Sequence, residues 1–141
     1  MRRLSLWAIA LAVSAAVRLP ALADEAPAQN AGMSHGWEFS EQGGADLYSH
    51  VCAACHQADA KGAVGAGAYP PLADDPDLAS AEFVLGVVLR GLNDMPPVGS
   101  MMSDAQVADV VTYVRTHFGN AYPGAVSPAE VAAARQRAGA L

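Results

Sequence analysis

Two cysteines stand three positions apart in a chain of 141 residues, and a histidine directly follows the second: Cys52-Ala53-Ala54-Cys55-His56. No other cysteine occurs. Any fold this chain adopts has to present both thiols from one local turn with an imidazole immediately behind them. Paired thiols at this spacing can hold a metal, form a disulfide or become thioethers, and each use demands different surroundings.

A disulfide oxidoreductase pair expects a thioredoxin-like βαβ environment, and no strand pattern reads around residues 45–65. A zinc site needs two further ligands at metal spacing. In the part expected to fold, only His50 and His117 are left, and neither belongs to a paired motif. A structural disulfide is compatible with an oxidising compartment. C-x-x-C followed by His is the attachment pattern of haem c. Two thiols on one helical turn add across the two vinyl groups of a single haem, and the adjacent histidine rises under the iron as proximal ligand. Haem attachment takes precedence because it uses all three residues and leaves no cysteine spare.

The N-terminus reads as an export signal. Arg2 and Arg3 precede an apolar stretch from Leu4 to Val17, and Ala21-Leu22-Ala23 is a small-x-small cleavage site followed by Asp24-Glu25. The stretch is shorter than the roughly 20 residues of a membrane span, and Arg18 interrupts it. Residues flanking Arg2-Arg3 do not complete a twin-arginine signal. The expectation is therefore a cleaved signal over 1–23, a periplasmic product and no stable membrane span afterwards.

Cleavage changes the charge. The precursor carries −6, but removing Arg2, Arg3 and Arg18 leaves five bases against fourteen acids, a net charge of −9. Such a surface disfavours nucleic acid and anionic lipid. It permits salt-sensitive steering toward a basic protein partner, and it also serves plain solubility.

Residues 24–39 read as a flexible leader of Ala, Pro, Gln, Asn and Gly, with His35 and Trp37 near its end. A first helix is expected over 41–56, capped by Ser40, with Leu47, Val51 and Cys55 on one face. Gly43 and Gly44 weaken its first turn unless another backbone packs close. Lys61 to Leu72 reads as a loop, because Gly62, Gly65, Gly67, Pro70 and Pro71 punctuate it. A stiff carbonyl in Tyr69-Pro70-Pro71-Leu72 can accept the Nδ1–H of His56 and fix the ring. A second helix is expected over 80–90, with Ser80 as N-cap, Gly91 as stop and Phe83, Val84, Val87 and Val88 as its apolar stripe.

Met95 precedes Pro96-Pro97, so its backbone is driven extended and its thioether can project sideways as a sixth iron ligand. Met101 and Met102 compete for that role. Met102, however, stands at N′ of a helix capped by Ser103 with Gln106 at N3, where it can staple onto Val107. That last helix, from Asp104 to about Phe118, carries Val107, Val110, Val111, Val114 and Phe118 at helical spacing, with Arg115 and His117 near its negative end. Tyr113 is expected against the first helix.

With these motifs in view, the chain resembles the class I c-type cytochromes, and is similar to the cytochrome modules that partner bacterial periplasmic and membrane dehydrogenases. The likeness spans residues 40–120 and rests on Cys52-Ala53-Ala54-Cys55-His56, Pro70-Pro71-Leu72, the run from Gly91 to Met95-Pro96-Pro97, and Tyr113-Val114-Arg115. The resemblance implies an all-α cytochrome c-like fold, with three to four core helices around one covalent haem c. It implies thioethers at Cys52 and Cys55, His56 and Met95 as axial ligands to iron, and a Pro70 carbonyl orienting His56. It further implies that the first and last core helices cross near Gly44 and Tyr113. Where the family commonly has Gly-Pro, this chain has Tyr69-Pro70.

Residues 121–141 extend past that core. Ser127-Pro128-Ala129-Glu130 is a capping box, and it predicts a short helix through about Ala138 with Val131 and Ala134 on one face, docked on the domain or on a partner. No catalytic nucleophile or acid–base pair is evident, so the chain reads as an electron-transfer protein rather than an enzyme. Three roles stay open: a diffusible carrier among redox proteins, the cytochrome subunit of a dehydrogenase or oxidase, and a haem sensor or enzyme with an open sixth position.

Overall fold

The computed structural model describes residues 38–65 and 67–139. The expected signal, and the leader up to Trp37 with His35, lie outside the described residues.

Helix α1 runs in three consecutive pieces: an α turn Gly44–Leu47, a π turn Tyr48–Cys52 and an α turn Ala53–His56. It begins three residues later than expected. Gly43, not Ser40, is the residue before it, at φ 77° and ψ 157°, a conformation open to glycine almost alone. The π turn inserts extra backbone that ends on the first cysteine, Cys52, a distortion that favours functional positions. Leu47 and Tyr48 are the buried residues of α1 upstream of the motif.

After α1 the chain forms a hairpin in place of a plain loop. Strands β1 (Ala63–Val64) and β2 (Ala68–Tyr69) pair antiparallel, Ala63 opposite Tyr69 and Val64 opposite Ala68. Gly62, at φ 69°, is needed here: a Cβ would strike the Tyr69 and Pro70 backbone. A 3₁₀ turn, Pro76–Ala79, leads into α2, Ala81–Arg90. Ser80 caps α2 by accepting from Phe83 N at 3.2 Å, and Gly91 ends it at φ 76°. The buried face of α2 differs from the expected stripe. Val84 and Leu85 are buried, whereas Phe83 is 45 % exposed and lines a shallow open cleft with Pro76 and Asp77.

A second 3₁₀ turn, Val98–Met101, precedes α3, Asp104–Thr116. Both halves of the Ser103–Gln106 capping box form, and Met102 and Val107 are buried in one core, as a staple requires. Helix α3 stops two residues short of Phe118, which takes a left-handed φ of 59° and returns its ring onto Tyr48, centroids 4.6 Å apart. Helix α4, Pro128–Gly139, carries the Ser127–Glu130 capping box and buries Val131 and Ala134. It packs on α2 and α3, so its apolar face is taken up within the domain.

Tyr48 joins this core to the motif. Its hydroxyl donates to Gln57 O at 2.7 Å, just past the histidine, and Gln57 is held at φ 67°. Burial, followed by the nearby Cys52, pushes the phenol up to about 12. The fold thus favours the neutral phenol. Its contribution is complete below the ordinary phenol value near 10 and is lost as pH rises from about 10 to 12. A spectrophotometric alkaline titration should therefore show one late phenolate, absent in Tyr48→Phe, which should also lose about 1 kcal/mol of stability at neutral pH. An unchanged titration curve in the variant would contradict this assignment.

Candidate haem-attachment site

The end of α1 presents Cys52 and Cys55 half-buried and His56 buried, the residue only 8 % exposed. The two thiols are not bonded to each other. Burial, with Cys55 close by, pushes the Cys52 thiol up to about 11. Thiol–disulfide catalysts do the opposite, lowering one thiol so that its thiolate can attack. A disulfide-exchange role is therefore unsupported. No cluster of three or more His, Cys, Asp or Glu side chains able to hold a metal ion forms among the described residues.

His56 Nδ1 lies 3.0 Å from the carbonyl of Pro70. A carbonyl only accepts, so Nδ1 carries the proton and donates, leaving Nε2 with its lone pair free. Pro70 is itself held in place. Gly62 N donates to His56 O at 3.0 Å, and Leu72 N and Ala73 N both donate to Ala60 O, at 2.7 and 2.9 Å. Asn120, buried after α3, donates to Leu72 O at 2.8 Å and to Val114 O at 2.9 Å, and accepts from Asp75 N at 3.0 Å. The histidine-orienting segment is thus pinned at one end to the motif and at the other to the last core helix.

Met95 is placed by a different device. Leu92 and Met95 exchange backbone bonds, Met95 N to Leu92 O at 2.9 Å and Leu92 N to Met95 O at 3.1 Å, around Asn93 at φ 51°. Gly91 is required beneath this turn, since a Cβ there would lie 2.5 Å from Met95 O. Met95 and Met101 are half-buried, while Met102 is buried in the core. His50 is exposed, and so is His117, which stacks on Tyr113 at 4.0 Å between centroids.

Sequence reading did not single out Asn120 or Gln106 as organisers of the site. Asn120 carries no sequence motif there, and Gln106 reads only as half of a cap. Gln106 Nε2 also donates to Phe39 O and Glu41 O, at 2.8 and 2.9 Å, holding the approach to α1. Bonds to distant carbonyls leave no local pattern in sequence.

The donor set fits a covalent haem: two unbonded thiols one turn apart, a buried imidazole with one nitrogen engaged and the other free, and a thioether on a braced turn.

Comparison with known proteins agrees. Residues 40–114 match the family described as cytochrome C oxidase, cbb3-type, subunit III. The cytochrome c subunit of alcohol dehydrogenase (quinone) from Gluconobacter oxydans (strain 621H) is 35% identical over 101 residues, covering 62% of this chain and 21% of that protein. The gluconate 2-dehydrogenase cytochrome c subunit of Pantoea cypripedii is 35% identical over 107 residues, covering 67% and 24%. The fructose dehydrogenase cytochrome subunit of Gluconobacter japonicus is 38% identical over 93 residues, covering 55% and 19%. The chain thus spans about a fifth to a quarter of the length of these relatives. With more than half of its residues inside the family match and the C-x-x-C-H turn within it, the chain belongs to this cytochrome c family, whose prosthetic group is covalently bound haem c.

Proposed function

We propose that this protein carries single electrons between redox proteins in the periplasm, as the cytochrome partner or subunit of a dehydrogenase. The observation that carries the reading is the His56–Pro70 bond at the end of the Cys52–Cys55 turn. It leaves one imidazole nitrogen free beside two thiols, and a proximal haem ligand needs that arrangement. In this reading residues 1–23 are removed on export, 24–39 are a leader, 40–120 are the cytochrome domain and 121–141 are an extension.

Cys52 and Cys55 hold the group by thioethers. His56 ligates iron through Nε2, while its Nδ1–H on the Pro70 carbonyl prevents ring rotation and raises the basicity of the ligating nitrogen. Met95 supplies the sixth ligand. Bound haem contributes a one-electron ferric/ferrous couple, and Met/His ligation places its potential high. The chain then needs no acid, base or nucleophile of its own.

Relatives named for alcohol, gluconate and fructose oxidation share this cytochrome portion. One electron-accepting module therefore serves unlike substrates, and substrate choice belongs to the dehydrogenase rather than to this chain. The acidic surface suits a basic docking face on such a partner. Among the described residues no helix is long and apolar enough to cross a membrane.

The test is a reduced-minus-oxidised spectrum of protein exported from a host that matures haem c. A sharp c-type α band that survives denaturation, together with the near-infrared methionine–iron band of the oxidised form, is the expected result. Met95→Ala should abolish the near-infrared band and admit carbon monoxide to the ferrous iron, whereas Met101→Leu and Met102→Leu should keep the band. Loss of all haem on denaturation would overturn the proposal. Covalent haem with no methionine band in the unaltered protein, already binding carbon monoxide, would instead indicate a sensor or enzyme with an open sixth position.

A further inference from the structure

Helix α4 lies outside the residues that resemble the family, yet one of its side chains reaches the segment that follows Met95. Arg135 Nη1 donates to Gly99 O at 2.9 Å, Nη2 donates to Met102 O at 2.7 Å, and Nε donates to Asp104 Oδ1 at 2.7 Å. One planar guanidinium therefore closes both ends of the 3₁₀ turn Val98–Met101 and anchors it to the first turn of α3. On its inner side the same turn rests on α2. Gly99 is buried, and a Cβ there would lie 2.9 Å from both Leu89 Cδ2 and Val88 O. The turn is gripped from α2 on one side and α4 on the other. Upstream, Val98 N donates to Pro96 O at 2.8 Å and Met95 is tied back to Leu92, so fewer than four residues of slack separate Met95 from the Arg135 contacts.

We propose that Arg135 is a positioning residue for the Met95 ligand: α4 acts as a latch that holds the methionine segment closed and sets how readily the thioether leaves the iron. The inference rests on Met95 being the sixth ligand. The reasoning is mechanical. A methionine–iron bond breaks when its loop swings away, and a swing of 95–102 has to lift Gly99 O and Met102 O off the guanidinium. Those bonds are charge-assisted and only half-exposed, so removing them lowers the opening cost without altering any ligand. Arg137, two residues on, is the natural comparison. It meets Glu82 only at 3.8 Å in a solvent-exposed pair and forms no hydrogen bond or ion pair with residues 95–102.

The experiment uses the exported holoprotein. Exogenous imidazole is mixed with the ferric form, and the rate of methionine displacement is followed in the near-infrared band. Arg135→Gln should raise the limiting displacement rate about tenfold. Asp104→Asn, which frees the guanidinium while leaving both carbonyl bonds possible, should raise it less, and Arg137→Gln should leave it unchanged. Gln136→Gly, at an exposed position of α4, weakens the helix through propensity and separates latch from stability: at an equal loss of thermal stability it should accelerate displacement less than Arg135→Gln. Equal rates for Arg135→Gln and the unaltered protein would overturn the latch, as would a rate that tracks global stability across all four variants. Should Arg135→Gln fail to fold, Asp104→Asn decides, because a rate identical to the unaltered protein's refutes the proposal. Absence of the methionine band from the unaltered protein would refute the ligand assignment instead, a separately visible failure.

Discussion

Alanine at Gly44 should lower the stability of the holoprotein by about 3 kcal/mol, and valine there should prevent accumulation of folded, haem-bearing protein. The reason is a backbone crossing. Helix α1 passes α3 with no side chain between them at Gly44, where an added Cβ would lie 2.5 Å from Asp109 O and closer still to Tyr113 Cβ. Neither neighbour is the free end of a flexible side chain, so relief requires the helices to separate. Separation moves the turn that carries Cys52, Cys55 and His56 and loosens the Tyr48–Tyr113–Phe118 cluster, whose centroids lie 4.6 to 5.8 Å apart. Gly43 provides the contrast. It has nothing within 4 Å but sits at a φ of 77° that side chains rarely adopt. Cost at Gly43 should be alike for alanine and serine, whereas cost at Gly44 should climb with side-chain size. Denaturant unfolding of Gly43→Ala, Gly43→Ser and Gly44→Ala, together with the yield of haem-bearing Gly44→Val, reads both trends, and a Gly44→Ala protein as stable as its parent would mean that the two helices do not cross there.

Arg115→Met should be the most damaging change made outside α1 and its contacts, at about 3–5 kcal/mol. Arg115 is buried near the end of α3 and forms no ion pair within 4 Å among the described residues, though, after the hydrogen bonds from Ser127, its charge helps to lower the Glu130 carboxyl. Its guanidinium is satisfied by four backbone carbonyls: Leu78 O at 2.9 Å, Gly124 O at 2.7 Å, and Ala79 O and Pro123 O, both at 3.3 Å. These carbonyls belong to the 3₁₀ turn before α2 and to the connection leading into α4, so one side chain joins three parts of the fold. Methionine fills comparable volume but deprives all four acceptors of this donor, Leu78 O in a buried setting and the other three in part-buried ones. Lysine restores the charge with three donors on a single atom and cannot span the same fork, so Arg115→Lys should recover only part of the loss. Thermal unfolding would rank the three proteins. Near-equal midpoints for parent and Arg115→Met would show that water satisfies these carbonyls without cost.

Local rules account for much of this molecule. Ser80, Ser103 and Ser127 each cap the helix expected of them, Gly91 stops α2, and the Val107-Val110-Val111-Val114 stripe is buried as its spacing requires. The motif at 52–56 was legible because one helical turn holds all of its chemistry. Phe83, the start of α1 and the end of α3 departed from expectation for a common reason. Propensity and periodicity see a few neighbours along the chain, while Phe83 was left on an open cleft and Phe118 was drawn back onto Tyr48 by what happened to pack nearby.

Sequence by itself therefore determined the helical class, the caps of α2, α3 and α4, the thiol–imidazole turn and the family, since each depends on contacts within a turn or two. Tertiary structure alone decided that Arg115 would be a buried hub, that Asn120 would hold the segment behind His56, and that Arg135 would reach the turn after Met95. A polar side chain carries no mark of which remote carbonyl it will meet. That choice is made only when packing brings a bare backbone oxygen within reach and burial makes leaving it unpaired too costly.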